Sequence, residues 1–385
     1  MLDSLLISNF RSLQRLEVSK LGRVNLIVGK NNTGKSSVLE ALRIYAGNAQ
    51  RPLLEALARE HDERFRTREA EAFEEPENMP FQDFFLGRAF PLVDGQWISI
   101  GSLTNEQERL QIQHALMEEY TDQEEVDGGE TINRIRRRIV PKAEADQGTA
   151  ELSQVLVIKR GDRFFPPMKL VNVRARVPAA EPWAVPCSAV PTQFISMDEL
   201  ADEWDRVVIA GQEEIVKAAL QIIEPDLESL VFVRSDQEGT YTPSRYRRER
   251  TAMVKLKGLE RPVPLNSMGD GMLRVLQLAL KLFTAKGGFL LIDEFENGLH
   301  YTVQERVWAL LFEVADKYDI QIFATTHSWD CIESFTKVAV GRPQTEGVLF
   351  RLGRSVRTSD KGQVIATVFD EAALANVTQA DMEVR

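Results

Sequence analysis

Residues 29–36 read Gly-Lys-Asn-Asn-Thr-Gly-Lys-Ser, which matches the pattern G-x-x-x-x-G-K-[ST] at every fixed position. An apolar run of strand type, 24–28, precedes this segment, and residues 37–43 follow it with apolar side chains at helical spacing. A strand, a glycine-rich loop and a helix in this order bind phosphate, because backbone N–H groups and a helix N-terminus both attract anions. Lys35 is placed to reach the β- and γ-phosphates of a nucleotide, and Ser36 is placed to bind Mg²⁺.

Two glycines of this loop allow what a side chain would prevent. Gly29 and Gly34 permit unusual backbone angles and a close approach of the chain to the phosphates. A chance glycine-rich turn is the alternative, but the flanking strand and helix favour a phosphate loop. We therefore expect the following residues to contact ATP: Gly29, Asn31, Asn32, Thr33, Gly34, Lys35, Ser36 and Ser37.

The composition is ordinary for a soluble globular protein. Of the 385 residues, 43% are hydrophobic and 27% are charged, and no run approaches the roughly 18 apolar residues of a membrane span. The N-terminus lacks the basic and apolar regions of a secretory signal. Cys187 and Cys331 are too few and too isolated for a disulfide framework or a zinc site. We therefore expect a cytoplasmic protein without a membrane partner.

The net charge of −11 disfavours nucleic acid as a partner of the whole surface. Two arginine clusters could still bind DNA or RNA locally. The alternative is that these arginines hold a partner protein or pair with nearby acids such as Glu118, Glu119, Glu124 and Glu125. The clusters are Arg134, Arg136, Arg137 and Arg138, and Arg245, Arg247, Arg248 and Arg250.

Four apolar residues, 289–292, are followed directly by Asp293 and Glu294. A buried parallel strand that ends in a carboxylate can hold Mg²⁺ beside a phosphate loop. Asp293 would bind the metal directly or through water, and Glu294 would polarise the attacking water. A core strand with an acidic end is the structural alternative, but the phosphate loop elsewhere in the chain argues against it.

A second apolar run, 320–324, ends in hydroxyl side chains and His327. An imidazole there can donate a hydrogen bond to a phosphate oxygen and so sense the nucleotide. Upstream, residues 266–271 supply Ser267 and two glycines before an apolar helix, which forms a second anion-binding arrangement. Taken alone, this segment would be a capped helix after a turn.

These four elements resemble, in type and in order, the phosphate loop, signature, acidic strand and switch histidine of the ATP-binding-cassette (ABC) superfamily. More narrowly, the chain resembles the AAA-15/AAA-21 ATPases. These are the ATPase portions of overcoming-lysogenization-defect (OLD) nucleases and relatives of RecF and of structural-maintenance-of-chromosomes (SMC) heads. The resemblance is strong over residues 1–48 and 264–350. The segments that carry it are 7–12, 29–37, 267–271 and 293–300.

The resemblance implies an α/β fold: an ABC-type P-loop ATPase head with a mainly parallel core sheet, an N-terminal antiparallel β portion and an inserted mixed α/β lobe. The predicted domains are the N-terminal half of the head at 1–115, the lobe at 116–263 and the C-terminal half at 264–385. Within the lobe, which could serve dimerisation or partner contact, the charged blocks of 117–150 are expected on solvated faces or in loops. Residues 166–191 carry six prolines and are expected to be extended or irregular.

The resemblance also implies a mechanism. In this superfamily two heads meet head to tail, and ATP lies between the phosphate loop of one and the signature of the other. Ser267, Gly269 and Gly271 would then act on the nucleotide of a neighbouring subunit, with residues 297–300 as the D-loop at that interface. Arg11 matches an arginine near the nucleotide in related heads, whereas the Q-loop glutamine has no clear match and Gln82 is a candidate by position only. The implied catalytic residues are Lys35, Glu294 and His327, and the implied metal ligands are Ser36 and Asp293.

Two departures from the relatives shape the functional prediction. OLD nucleases continue into a TOPRIM domain with a D-x-D motif, but residues 328–385 contain none, so we expect no nuclease domain in this chain. SMC heads carry a long coiled coil between their halves, whereas residues 116–263 contain prolines and no heptads. The chain thus resembles a stand-alone head. Such heads often work with a separately encoded effector, TOPRIM-like or another toxin or nuclease, commonly in bacterial anti-phage systems.

The predicted function is an ATP-dependent switch. ATP binding would close a homodimer or higher homo-oligomer, Mg²⁺-dependent hydrolysis would open it, and the output would go to the effector. The alternative is a RecF-like DNA-repair ATPase that binds DNA directly, which the arginine clusters favour and the net charge opposes. A nuclease in its own right is a third reading, and the missing metal-binding constellation disfavours it.

Overall fold

The computed structural model describes most of the chain. The described residues are 1–61, 63, 81–126, 130–147, 152–170, 184–234, 250–357 and 362–369. Three arginines of the second cluster, Arg245, Arg247 and Arg248, lie outside these ranges, and the side chains of Arg134, Glu124 and Glu125 are not described either.

Within the described ranges the chain forms seven α-helices and seventeen β-strands. The helices are α1 (Lys35–Ala46), α2 (Arg51–Glu60), α3 (Met197–Ile209), α4 (Glu213–Leu220), α5 (Asp270–Thr284), α6 (Tyr301–Lys317) and α7 (Trp329–Gly341). The strands are β1 (Leu5–Phe10), β2 (Leu13–Val18), β3 (Val24–Gly29), β4 (Ile98–Gly101), β5 (Leu110–Val126), β6 (Glu130–Val140), β7 (Leu152–Arg160), β8 (Arg163–Phe164), β9 (Met168–Lys169), β10 (Cys187–Val190), β11 (Leu227–Arg234), β12 (Arg250–Leu256), β13 (Val263–Pro264), β14 (Phe289–Ile292), β15 (Gln321–Thr326), β16 (Gly347–Arg354) and β17 (Val364–Phe369). None of the helices in these ranges is long and apolar enough to cross a membrane.

The central sheet has the strand order β10-β14-β15-β3-β16-β17. Every neighbouring pair is parallel except β16 and β17, which are antiparallel. Because parallel strands point the same way, β3, β10, β14 and β15 all end at one edge of the sheet, where ligands bind in open α/β folds. The segments that follow these strands are the phosphate loop, residues 191–192, the acidic pair and the region of His327.

The central sheet is buried on both faces, which explains the continuous apolar runs of its strands. Along β3, Leu26 packs into one core and Ile27 into the other, and along β14 the same alternation places Leu290 and Leu291 on opposite faces. Helices α5, α6 and α7 contribute to the first core, and α1 contributes to the second together with β1 and β2. The phosphate-loop helix and the signature helix α5 therefore lie on opposite faces of the sheet.

Two antiparallel sheets complete the fold. The larger has the order β2-β1-β4-β5-β7-β8, with β6 paired to β5 and β9 paired to β7. The smaller has the order β11-β12-β13 and leads into the signature segment. The predicted α/β class, with a mainly parallel core sheet and an N-terminal antiparallel portion, is confirmed.

The middle range of the chain is shared among all three sheets. Strand β5 spans the predicted division at 115/116, and β10, from within 116–263, pairs with β14 in the central sheet. The charged blocks expected on solvated faces or in loops lie largely on the antiparallel pair β5 and β6. The division into domains at 115/116 and 263/264 stays a prediction.

Candidate nucleotide site

The phosphate loop joins β3 to α1 through two glycines with positive φ. Gly29 has φ 151°, and a Cβ atom there would lie 2.5 Å from the carbonyl oxygen of Leu352. Gly34 has φ 91° and is the N-cap of α1, which has no side-chain capping bond. Thr33 Oγ1 donates to the carbonyl oxygen of Lys30 at 2.8 Å and closes the loop on itself. The uncapped N–H groups of α1 are therefore left to face an anion.

Lys35 rests on the backbone of its own loop. Its Nζ donates to the carbonyl oxygen of Gly29 at 2.8 Å and to that of Lys30 at 3.2 Å. Burial lowers the pKa of Lys35 from its ordinary 10.5, and the charges of three carboxylates act in the opposite direction. The ammonium therefore lies within the loop, and its contact with the β- and γ-phosphates stays a prediction.

Asp293 brings the acidic strand end to the phosphate loop. Ser36 Oγ lies 3.4 and 3.3 Å from the two carboxylate oxygens of Asp293. Two threonines hold the same carboxylate from the other side: Thr325 Oγ1 donates to Oδ1 at 2.6 Å, and Thr192 Oγ1 donates to Oδ2 at 3.2 Å. The carboxylate is thus fixed by hydroxyls from three different segments of the chain.

The Ser36–Asp293 pair fits a magnesium ion in its chemistry. A hydroxyl and a carboxylate supply hard oxygen donors, and Mg²⁺ in nucleotide sites binds few protein ligands because phosphates and waters complete its shell. Thr192 and Thr325 occupy the outer positions that orient a metal-binding carboxylate. The two residues predicted as metal ligands are therefore adjacent, and their role as ligands stays a prediction.

Glu294 follows Asp293 with an unusual backbone conformation. Its φ is 46°, a left-handed angle that costs a non-glycine residue roughly 1 kcal/mol or more. The turn is held by Thr325, whose Oγ1 accepts from Glu294 N at 2.8 Å and whose carbonyl oxygen accepts from Phe295 N at 2.9 Å. Phe295 is fully buried and stacks on Trp308, which anchors the far side of the turn. The strain is therefore sustained by specific contacts, and the Glu294 side chain remains 39% exposed.

His327 contacts a second carboxylate, that of Glu296, close to Glu294. Glu296 Oε1 accepts from His327 N at 3.0 Å and lies 3.1 Å from its Nδ1, whereas Glu294 Oε1 lies 3.8 Å from the same nitrogen. The side chain of Glu296 is 12% exposed. Glu296 therefore fixes the segment after β15 and leaves Nε2 of His327 for a ligand, while Glu294 is the freer carboxylate.

Arg274, on α5, binds the backbone of residues 293–295, which we call the acidic turn. Its Nη2 donates to the carbonyl oxygens of Asp293 at 2.7 Å and Glu294 at 2.9 Å, and its Nη1 donates to that of Pro191 at 2.6 Å. The side chain is fully buried, and burial lowers its pKa to about 10 while nearby carboxylates act in the opposite direction. This arginine is flanked in α5 by the buried apolar residues Leu273 and Val275 and was not predicted as a site residue.

The signature segment is exposed and makes few contacts. Ser267 Oγ donates to the carbonyl oxygen of Pro264 at 2.6 Å, and Gly269, with φ 93°, would leave an added Cβ without a neighbour within 4 Å. Gly271 lies against the D-loop, because a Cβ there would be 3.1 Å from the carbonyl oxygen of Gly298. Among the described residues, Ser267 has no hydrogen bond to the phosphate loop or to the acidic turn of its own chain.

Arg11 contacts acidic residues rather than the phosphate loop. Its Nε donates to Glu40 Oε2 at 2.5 Å and its Nη1 donates to Glu63 Oε1 at 2.6 Å, while the guanidinium lies 5.0 Å from the ring centre of Phe84. His61 Nε2 also contacts Glu40, at 2.5 Å. The structure thus places Arg11 in an ion-pair network beside α1, and its predicted contact with the nucleotide stays a prediction.

Three residues of the site were not predicted from the sequence to have a functional role: Thr192, Arg274 and Thr325. Thr325 stood among the hydroxyls noted after the second apolar run, but Thr192 follows a proline-rich stretch and carries no motif. Gln82, the positional candidate for the Q-loop, begins a short 3-10 turn at residues 82–84 beside β1. A second glutamine, Gln193, lies next to Thr192 and is exposed at the edge of the central sheet.

Two family models match the chain, one in each half. Residues 1–150 match a family described as "AAA ATPase domain", and residues 218–330 match one described as "AAA domain, putative AbiEii toxin, Type IV TA system". The first range contains the phosphate loop, and the second contains the signature segment, Asp293 and Glu294.

Two relatives match at the level of sequence. The chain is 24% identical over 358 residues to the ATP/GTP phosphatase of Helicobacter pylori, with 88% of each protein covered. An uncharacterised protein of Methanocaldococcus jannaschii is 47% identical over 45 residues, which is 12% of this chain and 20% of that protein.

Solved structures similar to the chain include SMC heads. An SmcHead bound to the C-winged helix domain of ScpA is 13% identical, with 96% of this chain and 98% of that chain covered and a TM-score of 0.46. The SMC head domain from Thermotoga maritima is 14% identical, with the same coverage and a TM-score of 0.40. A Smc head with an extended coiled coil, bound to the C-terminal domain of ScpA from Pyrococcus furiosus, is 11% identical, with 99% of each chain covered and a TM-score of 0.45.

The fold is defined by the strand order of the central sheet and by the geometry of the phosphate loop. The phosphate loop falls in one AAA match and the acidic strand end in the other, and the fold brings the two together at one sheet edge. The chain accordingly has an α/β fold of the P-loop ATPase type, and residues 1–150 and 218–330 are similar to AAA ATPase domains.

Proposed function

We propose that the chain is an ATP-driven molecular switch that pairs with a second copy of itself and controls a separately encoded effector in bacterial anti-phage defence. The observation that carries the pairing is the state of the signature segment. Ser267 and Gly269 are exposed, and Gly269 is the N-cap of α5, which has no side-chain capping bond. An uncapped helix N-terminus favours an anion, so a nucleotide on another subunit would satisfy it.

We call the edge of the central sheet where the phosphate loop meets Asp293 and Glu294 the acidic edge. In this proposal each of its residues has a separate task. Lys35 binds the β- and γ-phosphates, Ser36 and Asp293 hold Mg²⁺, and Glu294 accepts a proton from the attacking water. When bound, Mg²⁺ would neutralise charge on the phosphates. Thr192 and Thr325 keep the Asp293 carboxylate turned toward the loop. His327 donates to the terminal phosphate through the ring nitrogen that does not face Glu296.

The D-loop adds support for a shared site. Asn297 Nδ2 donates to the carbonyl oxygen of Thr192 at 2.5 Å, and Gly298 lies against Gly271 of the signature segment. Residues 297–300 therefore connect the acidic edge to the signature segment within one subunit. A second copy that docks on the signature face would contact this connection, so closing the dimer and ordering the site would be linked.

The proposed role in defence rests on the resemblance and on one family description. The family that matches residues 218–330 has a description that names a toxin of type IV toxin–antitoxin systems. A toxin–antitoxin system has two separately encoded components, which is compatible with a chain that acts together with a second protein. Both cysteines are free thiols, which agrees with a cytoplasmic setting.

The RecF-like alternative loses part of its support, because the described arginines of the basic clusters are paired. Arg137 contacts Glu119 and Arg138 contacts Glu118, as the alternative of pairing with nearby acids predicts. Arg136 contacts Asp122, and Arg250 contacts Asp205. Phosphate binding there would have to replace existing carboxylate partners.

The experiment is a phage challenge of cells that carry the chain together with the gene next to it. Plaque formation should fall only when both genes are present, and it should return to the control level with Lys35→Ala or Glu294→Gln. Western blots of the variants control for expression. Protection by the chain alone, or by the Lys35→Ala pair, would overturn the proposed division of labour.

A further inference from the structure

Arg274 is the one charged side chain of α5 that reaches the acidic turn among the described residues. Three carbonyl oxygens, those of Pro191, Asp293 and Glu294, accept from its two terminal nitrogens at 2.6–2.9 Å. The guanidinium is 0% exposed, and its Nε has no partner among the described residues. A buried cation that binds carbonyls, not carboxylates, is unusual and calls for a role beyond an ion pair.

Two of the carbonyls that Arg274 binds belong to Asp293, the proposed metal ligand, and Glu294, the proposed base. Glu294 has a φ of 46°, and the two acceptors flank its own backbone: one is the carbonyl before it and the other is its own. Thr325 fixes the N–H of Glu294 from the opposite side. With both polar groups bound, the peptide cannot rotate, and the direction of the Glu294 side chain is set by the backbone.

The same arginine joins this turn to two other elements. Pro191 follows β10, so its carbonyl ties the turn to the strand beside β14. Arg274 also lies one helical turn after Gly271, where α5 meets Gly298 of the D-loop. The acidic turn, the end of β10 and the start of the signature helix are thereby held as one unit.

We propose that Arg274 is a positioning residue for ATP hydrolysis: it fixes the Asp293–Glu294 backbone so that Glu294 faces the attacking water. This inference rests on the proposed function of Glu294 as the base. Arg274 does not touch the nucleotide in this account. Its loss should therefore slow the chemical step and leave nucleotide affinity nearly unchanged.

Lysine cannot replace arginine here, because a single ammonium cannot span the carbonyls on both sides of the fork. Arg274→Lys should lower kcat by about 10- to 100-fold, as a small misplacement of a reacting group does. The affinity for a non-hydrolysable ATP analogue should change by less than about threefold, since that contact belongs to the phosphate loop. Arg274→Gln, which brings no charge into the core, is the second variant should the lysine protein not fold.

Gln277 provides the matched control. It lies one turn further along α5, is fully buried, and neither polar atom of its side chain has a hydrogen-bond partner among the described residues. Gln277→Met keeps the size of the side chain and removes no hydrogen bond. It should retain kcat within about twofold, and its melting temperature reports what a change in this part of α5 does to stability alone.

The test is a double-mutant cycle of Arg274→Lys, or Arg274→Gln, with Glu294→Gln, read as kcat in excess ATP. If Arg274 acts through Glu294, the double variant should be no slower than Glu294→Gln by more than about twofold. Full additivity, or a kcat for the Arg274 variants equal to that of Gln277→Met, would overturn the inference. Unchanged turnover of Glu294→Gln alone would instead overturn the proposed base, so the two failures are distinguishable.

Discussion

The acidic edge and the signature segment of the same chain differ in how completely their polar groups are satisfied. At the acidic edge, the Asp293 carboxylate is contacted by three hydroxyls, those of Ser36, Thr192 and Thr325. The Glu294 backbone is bound on both sides as well. In the signature segment, Ser267 bonds only to the carbonyl of Pro264 among the described residues, and Gly269 stands in open space.

This difference separates the groups that one subunit orients by itself from the groups that would complete the nucleotide site of another subunit. Groups that are already oriented cost nothing to arrange when the nucleotide binds, which is how a site lowers its barrier. An exposed serine beside a glycine and an uncapped helix start gains only when an anion arrives. Variants in the first region should therefore weaken the chemistry of their own subunit, and variants in the second should weaken that of a neighbour.

The largest effect is expected at Glu294. Glu294→Gln keeps the shape of the side chain and removes the base, so kcat should fall by about 10²- to 10⁴-fold while ATP still binds. Steady-state hydrolysis and equilibrium binding of an ATP analogue check this. Glu296→Gln is the comparison, because Glu296 contacts His327 and should affect turnover less. A larger loss with Glu296→Gln would assign the base to that residue instead.

A smaller effect is expected at Thr192, whose hydroxyl is one of three that orient Asp293. Thr192→Val removes that hydrogen bond and keeps the backbone carbonyl that Asn297 uses. The Mg²⁺ concentration for half-maximal activity should rise by about three- to tenfold, as expected for loss of one outer contact to a metal ligand. Thr284→Val, which removes a hydroxyl contact with Ser188 further along α5, should leave this value unchanged. Equal shifts in both variants would exclude a specific role for Thr192.

The smallest effect concerns pH. Burial lowers the pKa of Lys35 in the free protein, and bound phosphate favours its charged form, so binding takes up a proton once the free lysine begins to lose its own. Affinity for the ATP analogue should therefore decline with rising pH below the range in which an ordinary lysine titrates. Titrations between about pH 7 and 10 would test this. Ser267→Arg should show the same decline and Lys35→Ala should not; a decline that persists in Lys35→Ala would refute the assignment.

Much of the fold and part of the site could be predicted from sequence, because the relevant signals are local. The phosphate loop and the acidic strand end are contiguous motifs whose neighbours in sequence dictate the local backbone. Thr192 has no such signal, since it reaches Asp293 only through the pairing of β10 with β14, about a hundred positions apart in the chain.

Other features were obscured by composition. Residues 166–191 are rich in proline and predicted to be extended or irregular; their last part is extended and forms β10, but its place in the central sheet could not be predicted. Arg274 lies among core residues in a helix that was predicted as apolar, and its buried contacts to carbonyls depend on the tertiary fold. The charged blocks of 117–150 became cross-strand ion pairs once β5 and β6 paired in register.

The most direct test of a shared site is a mixture of Lys35→Ala and Ser267→Arg subunits. Each variant alone should be inactive, but one of the two composite sites of a mixed dimer keeps an intact phosphate loop opposite an intact signature. With equal mixing, about one quarter of the wild-type rate should return, since half of the dimers are mixed and each has one working site. Differently tagged subunits prove the mixing. No recovery despite proven mixing, or full activity of Ser267→Arg alone, would contradict a nucleotide site shared between two copies of this chain.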